Sequence, residues 1–256
     1  MEVHAHTHTA RKKWTHYFWE FLMLFLAVFC GFLAENKREH IVEHNRAKDY
    51  ARTLVRDLKS DTANINQWTK YYSVFISTMD SMISMAIKKQ INPGTSGRFA
   101  WYCRHSLWHI PLPWQRTTIE QIKSSGSIRY FKSYRLQEMI SNYNREIESF
   151  IQVFILENPS SDKARDLTNK ILDVETYYEY SKIGLMALSE YADTYIDSMI
   201  NHRVVSFADK QELIDELVNM AVYRRRSYLP IKEHMPELKL LATELINELK
   251  KEYHLK

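Results

Sequence analysis

Residues 47–86 read AKDYARTLVRDLKSDTANINQWTKYYSVFISTMDSMISMA, and the reading of this stretch decides the fold. Ala47, Ala51, Leu54, Leu58, Asp61, Ile65, Trp68, Tyr72, Phe75, Met79, Met82 and Ala86 recur in alternating steps of four and three. That spacing keeps one stripe of a helix facing a partner helix over many turns. Asp61 is the only charge on the stripe. Asn92-Pro93-Gly94 is the first helix-stopping sequence after it. Upstream, nothing breaks the helix as far back as Ala34.

Working outward towards the N-terminus, Phe21 to Ala34 (FLMLFLAVFCGFLA) holds no charged side chain. Fourteen residues fall short of the roughly 20 needed to cross a hydrocarbon core. Trp14 to Ala34 suffices, with Trp14, Tyr17 and Trp19 as interface aromatics and Arg11, Lys12 and Lys13 before them. A cleaved signal peptide shares the basic start and apolar centre, but Phe32-Leu33-Ala34 puts a phenylalanine where a small residue is wanted. Residues 14–34 are therefore expected to be an uncleaved membrane anchor, with Glu20 hydrated at headgroup depth. The basic residues before the span are nearly balanced by Lys37, Arg38, Arg46 and Lys48 after it. We expect an inner-membrane protein with its N-terminus inside and its main domain in the periplasm.

Downstream, Leu136, Ile140, Tyr143, Ile147, Phe150 and Phe154 predict a helix over about 133–157. Ala164, Leu167, Ile171, Val174, Tyr178, Ser181, Leu185, Leu188, Ala192, Tyr195 and Met199 predict another long helix, starting after Pro159. Ser206 and Asp209 suggest a capped helix to about Arg225, and Pro236 the first turn of a final one through Leu241, Leu245 and Leu249. Arg224, Arg225 and Arg226 would then sit at a helix C-terminus, against its dipole. No strand pattern occurs, and five glycines and six prolines are too few for a β-sandwich or barrel. The expected fold is all-α, an N-terminal transmembrane helix continuous with an antiparallel helical bundle. Its parts are a His-rich basic tail (1–13), the anchor (14–34) and a helical domain (35–256). The domain includes a Trp-rich lid or connector (98–127) and a C-terminal helical pair (206–256).

Residues 98–116, RFAWYCRHSLWHIPLPWQR, carry Trp101, Trp108 and Trp114. Such aromatics suit a lid over one end of the bundle, or the lining of a ligand pocket together with Asp61. Cys103, His105 and His109 could supply metal ligands, although Pro111 and Pro113 disfavour a regular helix there. In the tail, His4, His6 and His8 alternate in a pattern that captures metal weakly. Two cysteines build no disulfide framework, and no bound cofactor is expected. Interleaved acids and bases leave a net charge of only +4, without the concentrated basic face of a nucleic-acid binder. No glycine-rich phosphate loop, nucleophile elbow or His-Glu-x-x-His occurs, so no enzymatic activity is expected.

Two stretches carry a resemblance. Tyr17-x-x-Glu20 leads into the apolar run, and Thr118-Ile119-Glu120-Gln121-Ile122-Lys123-Ser124-Ser125-Gly126-Ser127-Ile128 leads into Tyr130-Phe131, then Leu136 and Tyr143. Residues 14–156 thereby resemble a group of Bacteroidota single-span membrane proteins with a glutamate-containing anchor and a Ser-Ser-Gly helical motif. The resemblance implies a membrane-anchored helical domain and transfers no activity. Gly126 suits a left-handed end to a short helix. Two functional expectations follow. One is a scaffold or interaction protein of the envelope, pairing with itself or with an envelope partner at the lipid bilayer. The other is a ligand-sensing bundle that signals through a separate partner.

Overall fold

The computed structural model describes residues 14–107, 112–182 and 193–256, the side chains of 193–196 excepted. The protein is all-α, and no strand occurs among the described residues. Helix α1 runs from Trp14 to Ile87, 74 residues without a break. It is followed by α2 (Ser96–His105), α3 (Thr117–Ser124), a 3₁₀ turn (Ser127–Tyr130), α4 (Tyr134–Ile171), α5 (Val174–Ser181), α6 (Asp193–Ile200) and α7 (Gln211–Tyr253). The chain divides into two compact units, residues 1–50 and 51–256.

Within the first unit the described residues form the N-terminal part of α1. Its apolar segment is long enough to cross a membrane, with a mean hydropathy of 2.0 and none of that window buried. Stacked rings lie along one side, Phe21 on Phe25 and Phe25 on Phe29, on a surface that the described residues leave exposed.

The second unit is built on three long helices. The α1 stripe is buried from Ala51 through Met82, Asp61 included, as its spacing predicts. Helix α1 ends at Ile87, earlier than the Asn92-Pro93-Gly94 stop, because Lys89 turns into the left-handed region at φ 54°. Partner residues fix the directions. Asn66 meets Lys239, Tyr72 meets Tyr228 and Asp80 meets Arg225, so α7 runs antiparallel to α1. Lys163 pairs with Glu216 and Glu157 with Arg224, so α7 also runs antiparallel to α4. Helices α1 and α4 therefore point the same way, and residues 88–133 must carry the chain back. They do so along α1: Ser106 bonds the Met82 sulfur, Trp114 packs edge-on against Trp68, Gln115 reaches Asp61 and Thr118 reaches Asp57. The described residues of the Trp-rich segment thus form a crossover strap, the connector of the two alternatives expected, and not a lid at one end. Trp101 and Trp114 are core residues because a returning chain inside a bundle must cover its own backbone with apolar surface.

Helix boundaries depart from expectation at each proline. Pro159 lies inside α4, and the helix continues twelve residues further to Ile171. Pro230 and Pro236 lie inside α7, so the expected C-terminal pair is a single 43-residue helix. A proline inside a helix forfeits one backbone bond and costs roughly 3 kcal/mol. The buried apolar surface carried past each one offsets that cost: Ala164, Leu167 and Ile171 in α4, and Tyr228, Ile231, Met235, Leu238 and Ala242 in α7. The real interruption of the predicted second seam is at Leu172-Asp173. There Asp173 caps α5, accepting from the Thr176 amide at 2.8 Å and its hydroxyl at 2.7 Å. Beyond it Val174 and Tyr178 are 86% and 62% exposed, so they are not core as their spacing suggested. Leu185, Leu188 and Ala192 lie outside the described residues. Ser206 does not cap α7. Its hydroxyl accepts from Ala208, Asp209 adopts φ 57°, and Lys210 occupies the cap position.

Short helices α5 and α6 both pack on α2. The Tyr180 hydroxyl donates to the Gly97 carbonyl at 2.9 Å, and Arg98 pairs with Asp197 at 2.5 Å. A Cβ at Gly97 would stand 2.3 Å from the Ile200 carbonyl oxygen, so only glycine allows this approach.

Candidate functional site

Among the described residues, two clusters of buried charged groups hold the strap, one around Asp57 and Asp61 and one around Glu157 and Arg224. At the first, two carboxylates a turn apart on α1 hold the strap in place. Asp57 accepts from the Thr118 hydroxyl at 2.5 Å. Asp61 accepts from the Gln115 amide at 3.0 Å and the Tyr143 hydroxyl at 2.8 Å, tying α1, the strap and α4 together. Burial pushes the Asp61 carboxyl above its usual range, against the opposing pull of those two donors. Burial likewise raises the Tyr143 hydroxyl, with the Asp61 charge adding to it. This pair keeps its proton on tyrosine and serves as a fixed link. Asp61 lines neither of the two clefts described below.

The second cluster was not legible as a site from its sequence. Arg224 of α7 is 1% exposed and lies 3.5 Å from the Glu157 carboxylate of α4. Its guanidinium donates to the Leu107 carbonyl at the strap, to the Glu157 carbonyl at 3.2 Å and to the Ser161 hydroxyl at 2.9 Å. The arginine triplet is therefore not a helix C-terminus: Arg224 points into the core of a long helix, and Arg225 pairs outside with Asp80. A signal existed. Leu217, Ala221, Arg224, Tyr228, Ile231, Met235 and Leu238 alternate in steps of four and three, as do Tyr143, Ile147, Phe150, Phe154, Glu157, Ser161 and Ala164. Splitting both runs at their prolines hid the charge on each.

On α2, Trp101, Cys103 and His105 are all buried. The His105 ring stacks on Trp101 at 3.7 Å between centroids, and its Nδ1 bonds the Trp101 carbonyl at 3.0 Å. Burial pushes the Cys103 thiol up, so it stays protonated at neutral pH. Cys103 and His105 are two residues apart, about 200° around a helix, so they cannot converge on one ion. Among the described residues no group of three or more His, Cys, Asp or Glu could hold a metal ion. His4, His6, His8, Trp108 and His109 lie outside the described residues. Of the Ser-Ser-Gly motif, Ser124 and Ser125 are exposed at the end of α3 and Gly126 adopts φ 65°, the left-handed turn its position called for. Phe131 beyond it is fully buried, edge-on to Tyr253 at 5.9 Å. Trp14, Tyr17, Trp19 and Glu20 are all exposed on α1, with His16 3.5 Å from Glu20.

Several clefts open between these elements, and two of them adjoin the strap. One, of about 150 Å³, is apolar and lies among Tyr72, Trp114, Phe150, Phe154 and Ile231. The other, of about 270 Å³, lies between α2, α4 and α5, where Arg104, Arg165, Asn158 and Tyr177 meet Leu107 and Phe154. No protein-family model, curated protein or solved structure matches this chain.

Proposed function

We propose that this protein is a single-span membrane protein of the cell envelope whose helical domain is a non-catalytic scaffold, pairing with a second copy or with another envelope protein. One observation carries the reading: the same uninterrupted helix holds an exposed apolar segment of spanning length and, from Ala51 on, the buried stripe of the domain. A helix built this way fixes the domain to whatever holds its apolar end. The chemistry of the interior supports the same reading. The buried carboxylates Asp57, Asp61 and Glu157 are each engaged in holding one element to another, the use expected of a rigid support.

Light scattering on the full chain in a mild detergent tests the pairing. The expected particle contains more protein than one 30.6 kDa chain, as a homo-oligomer or with a stoichiometric partner. A strictly monomeric, partner-free particle after gentle extraction overturns it. Placement in the periplasm has its own test. Cys103 is too buried to report, so the exposed Lys170 is replaced in a Cys30→Ser, Cys103→Ser background. K170C is expected to react in intact spheroplasts with a membrane-impermeant maleimide. Reaction only after lysis puts the domain on the other side.

A further inference from the structure

We propose that the cleft between Tyr72, Trp114, Phe150 and Ile231 binds a small uncharged aromatic compound, one ring in size and bearing one oxygen, as a phenol does. Its walls come from α1, the strap, α4 and α7, and its volume is about 150 Å³. An apolar cavity of about that size takes a molecule as large as benzene. The lining sets the chemistry of the occupant. None of its described residues is charged, so an ionised ligand would lose its hydration without compensation. Tyr72, Trp114, Phe150 and Phe154 border the space with rings, and Ile151 and Val153 add aliphatic surface. Trp114 sits 5.8 Å from Phe150 with the two rings tilted by 44°. A further ring among them continues the offset and edge-to-face contacts that aromatic groups prefer.

Two polar atoms complete the recognition. Among the described lining residues only Tyr72 and Trp114 carry one on the side chain, a hydroxyl and an indole N–H. Both residues are buried, at 8% and 9% exposure. Their rings are held edge-on by neighbours, Tyr72 by Tyr228 at 5.2 Å and Trp114 by Trp68 at 4.7 Å. Neither polar atom takes part in a hydrogen bond among the described residues. Buried polar side chains are nearly always bonded, so two without partners beside one apolar cleft point to a ligand that supplies the acceptor. Burial pushes the Tyr72 hydroxyl well above its usual value, with Tyr228 adding to the rise, so it keeps its proton at neutral pH. The ligand's oxygen accepts from Tyr72, and the Trp114 N–H is a second donor on the same lining. This assignment does not depend on what the domain pairs with.

The test titrates the full chain, at fixed detergent, with phenol and in parallel with benzoate and cyclohexanol. Phenol is expected to raise the melting temperature in proportion to ln(1 + [L]/Kd). It is also expected to slow amide exchange in residues 149–156 and 228–234. Benzoate is expected to do neither, and cyclohexanol to bind more weakly than phenol. Val153 is a half-buried wall residue, so its side chain can be changed without opening the core. V153F puts a ring into the cleft and is expected to abolish the shift, whereas V153A keeps it. Y72F removes the hydroxyl and is expected to weaken phenol about three- to tenfold, the range for one neutral hydrogen bond. No shift in the wild type, equal affinity in V153F or Y72F, equal shifts from the control compounds, or protection located elsewhere overturns the assignment. Binding that appears only in W108A gives the cleft to the chain's own tryptophan and also overturns it.

Discussion

Asp61 is the residue whose chemistry departs furthest from its surroundings. A carboxyl whose pKa is raised by folding binds more protons in the folded than in the unfolded state. Its contribution to stability is complete below the unfolded value, near 4, and is lost as pH rises through the folded value. At neutral pH the charge is carried at a cost, so D61N is expected to match or exceed the wild type in stability there. It should also flatten the decline in stability from about pH 4 towards neutrality. Denaturant melts across that range check this; a D61N protein markedly weaker at pH 7 would mean the charge itself is needed. D61L is a different matter, because it strands the Gln115 amide and the Tyr143 hydroxyl, at about 1–3 kcal/mol for each buried group. Arg224 poses the opposite problem, a cation enclosed with its partner. R224A abandons the Glu157 charge in the core and is expected to cost about 3–5 kcal/mol. E157L combined with R224M removes both charges and should recover most of that loss. Equal damage from the single and double variants would show that packing, and not charge, is what Arg224 supplies.

At the scale of elements, periodicity was informative and punctuation misled. The α1 stripe is buried as its spacing required, because a four-three alternation over so many turns has no other stable use. Prolines 159, 230 and 236 read as boundaries because each forfeits a hydrogen bond, yet α4 and α7 run through them. Local cost is visible in a sequence; the burial on either side that outweighs it is visible only once partners are known. The same reason hid Glu157 and Arg224, and made Val174 and Tyr178 look like core. Gly126 was legible because its demand is local, a left-handed turn, whereas Gly97 was not, because the chain that crowds it lies about a hundred residues away. That crowding gives a prediction for the α2 contact. G97A forces a Cβ against the Ile200 and Arg203 carbonyls. A loss of at least about 1–3 kcal/mol is expected, as for overpacking a rigid site. In a domain of this size that lowers the melting temperature by about 2–4 °C per kcal/mol. An unchanged melting temperature would mean that α2 and the 200–203 turn are not held together as tightly as the geometry requires.

For the whole molecule, the direction of the chain between α1 and α4 was the least legible feature. Tryptophans at 101 and 114 announce burial without saying where, and a lid and a crossover strap have the same composition. The parallel pairing of α1 with α4 decides between them, since it obliges residues 88–133 to return along the domain. The strap's contacts with Asp57, Asp61 and Arg224 then explain why charges were placed in otherwise apolar seams. They hold a returning backbone whose polar groups no helix satisfies.

The central claim is that the apolar start of α1 lies in lipid and holds the helical domain to it. Extraction of native membranes at alkaline pH with carbonate tests it most directly. The full chain is expected to remain in the membrane pellet, and a chain lacking residues 14–34 to appear folded and helical in the supernatant. A full-length protein released by carbonate without detergent contradicts the account.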